Sequence, residues 1–199
     1  MNAQTPLQKV QSFSRWVKIA YIVIATAYSI FMIKPLTMIW TETGYGVVLN
    51  GGASYKLSSS KGINSKNIPL SKFSNGPKIL YSLGLLLPFL LMCKIFYHVY
   101  MLFHCYSKGS IFSVEANREI RLAGAAICWF ALINCLGAQF IRNAYFIGLG
   151  LPLMHYSAQD IRDLILGTVM LLVVGGAVLS FAWVMEAGME IFEDHELSI

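Results

Sequence analysis

Lys94, His98, Met101 and Cys105 follow one another at intervals of four, three and four residues. That spacing places an ammonium, an imidazole, a thioether and a thiol on one face of a helix. Inside lipid, an ionisable side chain is a functional candidate, because its desolvation has to be offset by a partner or a role. His98 and Cys105, with Cys128 of the next apolar segment expected at a similar depth, are donors of the kind that hold a soft ion such as Cu(I). The competing reading needs no ion. Lys94 would reach from a long helix to the headgroup layer, His98 and His104 would face headgroups, and Met101 and the cysteines would pack as apolar groups. No C-x-x-C or H-x-x-x-H spacing supports a metal, so no cofactor is expected.

The elements that would position these residues are set by hydropathy. Between Asp163 and Glu186 the chain runs from Leu164 to Met185 without an ionisable residue, long enough at ~1.5 Å per residue to cross a ~30 Å hydrocarbon core. Of the 199 residues, 56% are hydrophobic and only 13% charged. A soluble domain with that composition would have too little polar surface to cover itself. The expected fold class is therefore an all-α integral membrane protein, one domain over residues 1–199 with four transmembrane helices at about 16–40, 78–106, 122–141 and 161–187. Cys93, Cys105, Cys128 and Cys135 all fall in or beside these spans, which argues against a secreted disulfide framework. The basic N-terminus resembles a signal peptide, but the apolar run is too long and lacks a small-residue cleavage pattern, so it reads as a retained first helix.

The outer loop, about 41–77, is rich in Gly, Ser, Asn and Lys, whose polar groups need water or a partner. Within it, Tyr45 to Leu49 and Ala53 to Leu57 flank Asn50-Gly51-Gly52, which predicts a small β-hairpin. Residues 142–159, broken by Gly148, Gly150 and Pro152, read as an interfacial connection. Pro35 and Pro88 lie inside helices one and two, where each removes a backbone donor. Gly124, Cys128, Ala131, Cys135 and Ala138 form a stripe of small side chains on helix three, and Gly176 with Ser180 forms a small-x-x-x-small pair on helix four. Such stripes allow backbones to approach closely in lipid. Asn134 and Gln139 are expected to add hydrogen bonds between helices.

Four spans put both termini on one side. Basic residues lie on both sides, with Lys9, Arg15 and Lys18 against Lys56, Lys61, Lys66, Lys72 and Lys78. The Lys9 to Lys18 cluster abuts the first helix, which places the termini in the cytoplasm. On that side Ser113 is a good N-cap for helix three and Glu115 opposes the positive end of its dipole, while Ala116 cannot complete a capping box. Glu186, Glu190 and Glu193 recur at helical spacing, so the acidic tail 188–199 reads as an amphipathic helix. It would dock on Arg118 and Arg121 of its own chain or offer carboxylates to a basic partner.

Two stretches resemble signatures of a bacterial membrane family catalogued as domain of unknown function 2975. The first runs from Lys108-Gly109 through Ile111-Phe112-Ser113 and Glu115 to Arg121 and Gly124; the second is Gly188, Glu190, Glu193 and the closing Leu197-Ser198-Ile199. Ala116 and Trp183 depart from the family pattern. The resemblance implies a four-helix bacterial inner-membrane protein with cytoplasmic termini, no catalytic residues, and a cytoplasmic protein partner such as a small helix-turn-helix regulator. A homo-oligomer fits the small-residue stripes. The sequence contains no Walker A loop, G-x-S-x-G, H-E-x-x-H or Rossmann fingerprint, and no direct nucleic-acid contact is expected. The expectation is a non-enzymatic regulatory or scaffolding protein. The alternative is a small-molecule or metal-ion transporter or sensor built around helix two.

Overall fold

A computed structural model describes residues 5–40, 73–148 and 158–197. These form four helices: α1 (Pro6–Trp40), α2 (Asn75–Ser107), α3 (Val114–Gly148) and α4 (Ala158–Leu197). All four are long and apolar enough to cross a membrane, which is the organisation of a multi-pass membrane protein. The hairpin expected at Tyr45 to Leu57 lies outside the described residues.

The residues of α1 explain why its environment is lipid. Gln11, Ser14, Lys18, Tyr21, Ala25, Tyr28, Met32, Pro35 and Ile39 recur at three and four residues and are all buried or half-buried. Large apolar side chains such as Phe13, Trp16, Val23, Ile30 and Phe31 point outward. Polar and small groups face protein while hydrocarbon faces out, the reverse of a water-soluble helix. Thr26 returns its hydroxyl to the Ile22 carbonyl at 2.8 Å, as a polar side chain must where water is absent.

Helices α1, α3 and α4 extend well beyond the spans expected from hydropathy. Thr5 and Gln8 form a reciprocal cap, Gln8 N–H donating to Thr5 Oγ1 at 3.4 Å and Thr5 N–H to Gln8 Oε1 at 3.1 Å, with Pro6 at the first helical position. Helix α1 therefore begins ten residues before Trp16. The connection expected to start at Arg142 is instead α3 as far as Gly148, because Ala144 and Phe146 are buried there. The acidic tail does not form a separate helix but continues α4. At 33 to 40 residues the helices are about 50–60 Å long, against the ~30 Å of a hydrocarbon core.

Contacts divide the chain into two compact units, Met1–Tyr28, Leu90–Phe130 and Met170–Ile199 in one, Ser29–Phe89 and Ala131–Val169 in the other. In the second unit, Ile39, Phe73, Tyr81, Leu85 and Ala144 form the core. Phe73 and Tyr81 both meet the Tyr145 ring edge-on, and Trp40 Nε1 donates to Ser82 Oγ at 3.1 Å. Helices α2 and α3 come closest at Gly84 and Gly137. A Cβ on Gly137 would lie 2.5 Å from the Gly84 carbonyl oxygen and 2.9 Å from Pro88 Cγ. Pro88 cannot donate to the carbonyl four residues back, that of Gly84, so this contact covers the oxygen that Pro88 leaves without its helical partner.

In the first unit α3 and α4 approach at Gly124 and Gly175. A Cβ on Gly175 would meet Cys128 Sγ at 2.5 Å, and one on Gly124 would meet Leu179 Cγ at 3.0 Å. The small-residue stripe of α3 thus packs as expected at Gly124, Cys128 and the buried Ala131. The stripe on α4 is one residue out of phase with expectation. Gly176 has open space around it, and Ser180 is exposed and returns its hydroxyl to the Gly176 carbonyl, so Gly175 is the packing glycine.

The turn between α2 and α3 is built by Gly109, whose φ of +89° only glycine adopts without strain. Its N–H donates to the Tyr106 carbonyl at 3.0 Å and that of Ser110 to Cys105 at 3.2 Å, closing the helix in a Schellman motif. A Cβ there would also lie 2.8 Å from Gln11 Nε2. Gly109→Ala is expected to lower stability by about 1–2 kcal/mol, measured by denaturant unfolding in mild detergent; an unchanged midpoint would contradict this reading of the turn.

Candidate functional site

In the first unit a set of polar side chains lies near the α2–α3 turn. Ser113 caps α3, accepting the Ala116 N–H at 3.2 Å. Glu115 is exposed in the first turn, where its charge opposes the helix dipole. From that start, Ala116, Glu119 and Ala123 fall at intervals of three and four on the inward face of α3. Ala116 is fully buried, and the absence of a capping-box side chain leaves it free to pack.

Glu119 meets His98 of α2. The ring Nδ1–H donates to Glu119 Oε2 at 2.7 Å, and the side chains are only 9% and 16% exposed. An ionised carboxylate only accepts, so opposite it the imidazole carries its proton on Nδ1, with Nε2 at the far edge of the ring. The bond ties α2 to α3 at this level. Sequence reasoning did not single out Glu119, which stands between the basic Arg118 and Arg121. The signal was its phase, three residues after Ala116 and four before Ala123, the stripe that must face protein.

Beside this pair, Lys18 Nζ of α1 donates to His104 Nδ1 at 3.3 Å and lies 6.0 Å above the Tyr100 ring. Tyr100 and His104 are themselves stacked, with centroids 6.3 Å apart. Ile120 packs with Ala182 and Met185 of α4, joined by Leu102 and Val178. One residue on, Arg121 Nη1 donates to both oxygens of Glu186, at 3.1 and 3.2 Å, at a site where each side chain is nearly half exposed. Glu186, two residues ahead of the acidic tail 188–199, is thus held by Arg121. Arg118 and Glu190 are exposed, and among the described residues neither forms an ion pair. Reversing Glu186→Lys is expected to destabilise by at most about 1 kcal/mol, shrinking in 1 M salt. A double-mutant cycle with Arg121→Glu checks it, and a double variant no better than the sum of the singles would contradict the pairing.

The face read from sequence divides. His98 is buried against α3, Met101 and Cys105 are half-buried, and Lys94 is exposed. Cys128 does not come to His98. It packs against Gly175, while Glu119, nine residues earlier on α3, stands at the level of His98. Among the described residues no three His, Cys, Asp or Glu side chains converge on a point that could hold an ion. Asn134 is exposed and makes no hydrogen bond between helices among the described residues, contrary to expectation; Gln139 is half-buried. Of the signature residues, Gly109, Ser113, Arg121 and Gly124 carry the contacts given above. Ile111 is half-buried, Phe112 is 78% exposed, Gly188 has open space around it, and Glu193 and Leu197 belong to α4. Ser198 lies outside the described residues.

Comparison of the chain with protein-family models, with curated proteins and with solved structures finds no match.

Proposed function

We propose that this chain is a non-enzymatic, multi-pass protein of the bacterial cytoplasmic membrane, a member of the family whose two signatures it resembles. It acts as a regulatory or scaffolding partner through the turn 108–113 and the acidic end of α4, both on the cytoplasmic side. The observation that carries this reading is the continuity of α4. Glu186 is held by Arg121, and the same helix runs on through the exposed Glu190 to Leu197, with no break at Gly188. An acidic helix end, together with the exposed Phe112 of the α2–α3 turn, is a surface suited to a basic protein partner, such as a small helix-turn-helix regulator. A photoreactive residue at Phe112 should give a crosslinked adduct of defined mass in native membranes. Truncation from Gly188 and Glu190→Lys should each remove it. An adduct that persists in both would defeat the scaffold reading.

The buried His98–Glu119 pair favours a second reading, a transporter or sensor of a small molecule or metal ion built around α2. Under that reading Glu119→Gln abolishes a ligand-dependent uptake or response and leaves the Phe112 adduct intact. The scaffold reading expects no such uptake or response in wild type, and an adduct that survives the substitution.

A further inference from the structure

Between α1 and α2 in the first unit runs a groove of about 310 Å³, lined by Tyr21, Ala25 and Thr26 on one side and Cys93, Phe96 and Tyr100 on the other. Its floor is fixed by rings: Phe96 meets Tyr21 and Tyr28 edge-on, with centroids 6.1 and 5.8 Å apart. From Cys93 to Tyr100 is seven residues, roughly 10 Å of helix. Apart from its tyrosine and threonine hydroxyls the lining is apolar, a surface suited to an acyl chain.

What stands at one end identifies the occupant. Lys18 lies over the Tyr100 ring with one N–H on His104 Nδ1, and among the described residues no carboxylate pairs with it. An ammonium has three donors, so at least one stays available to an incoming oxygen. One turn or less away, Arg15 is exposed and Trp16 is 71% exposed, the residue types that occupy the headgroup layer. A cationic, indole-bearing end and an apolar body match one amphiphile. We infer that this groove binds an anionic phospholipid, its acyl chain lying along Tyr21, Ala25 and Phe96 and its phosphate meeting Lys18. Cys93 at the deep end is a built-in reporter of occupancy.

The experiment is native mass spectrometry of the detergent-purified full chain, titrated with phosphatidylglycerol or phosphatidylcholine of identical chains and with glycerol phosphate alone. Wild type should retain one phosphatidylglycerol with about a tenfold preference over phosphatidylcholine. Lys18→Gln should erase the preference while keeping the phosphatidylcholine level, and Ala25→Phe should lose both lipids. Glycerol phosphate should not bind, because the acyl chain supplies the apolar contact. In parallel, peptide-resolved alkylation of Cys93 by a lipid-soluble maleimide should slow severalfold when phosphatidylglycerol is added, a readout taken on the unmodified protein. Equal binding of the two lipids by wild type, unaltered Cys93 alkylation, or a dimer whose formation protects Cys93 in place of lipid would each overturn the assignment. Glycerol phosphate binding as well as the whole lipid would assign the site to a free phosphate and overturn it too.

Discussion

Gly137→Ala is expected to destabilise the detergent-solubilised protein by about 1–3 kcal/mol, and Gly137→Leu to prevent the folded state from accumulating. The reason is geometric. Even one methyl on Gly137 would lie 2.5 Å from a backbone oxygen, that of Gly84, and beside the ring of Pro88, neither of which can swing away. Lipid supplies little hydrophobic drive between helices, so separating α2 from α3 by the width of a methyl forfeits the dispersion contacts that hold them. The control is built into the chain: Gly167 and Gly176 have nothing within 4 Å, and alanine there should be neutral or slightly stabilising because alanine favours helix. Unfolding followed by circular dichroism during an SDS titration separates the cases. A Gly137→Ala variant as stable as Gly167→Ala would show that the close approach is not what packs these helices.

The second large effect is expected at the buried pair. His98→Leu should cost about 3–5 kcal/mol, since it strands the Glu119 carboxylate with its partner gone. Glu119→Gln should be far milder, because the amide oxygen still accepts the His98 Nδ1–H. Replacing both by leucine should recover most of the loss, as an apolar pair needs no partner in that site. The same unfolding titration measures all four proteins. A His98→Leu variant as stable as wild type, or a double variant worse than His98→Leu alone, would show that the two groups are not coupled in the membrane-embedded protein.

The parts of this fold legible in the sequence are those that depend on hydrocarbon and on local hydrogen bonds. The run from Leu164 to Met185 is legible as a span by length and hydropathy, and Ser113 with Glu115 marks the start of α3. The small stripe on α3 was legible for the same reason, since Gly124 and Ala131 have no other use on a lipid-soluble helix. The parts not legible depend on phase between helices. Gly175 and Gly176 are adjacent, and only the position of Cys128 decides which one faces α3. Glu119 stood among Arg118 and Arg121, where a charge reads as solvated until Ala116 and Ala123 are seen to be buried. The seam of α1 was hidden for a different reason. Its inward positions, the buried Ser14 and the half-buried Lys18 and Tyr21, are polar, and a search for an apolar face finds the lipid side instead. Thr5-Pro6-Leu7-Gln8 did carry a start signal, a capping box with proline at the first position, ten residues ahead of where hydropathy rises.

The proposed scaffold function depends on four spans with the termini and the 108–113 turn together on the cytoplasmic side. The most direct test of that arrangement is labelling of single cysteines, placed in a background lacking the four native ones, by an impermeant reagent applied to intact cells. Cysteines at Ser59 and Tyr156 should react from outside, and those at Ser110 and Ser198 should react only after the membrane is permeabilised. Labelling of Ser110 from outside in intact cells would contradict the account.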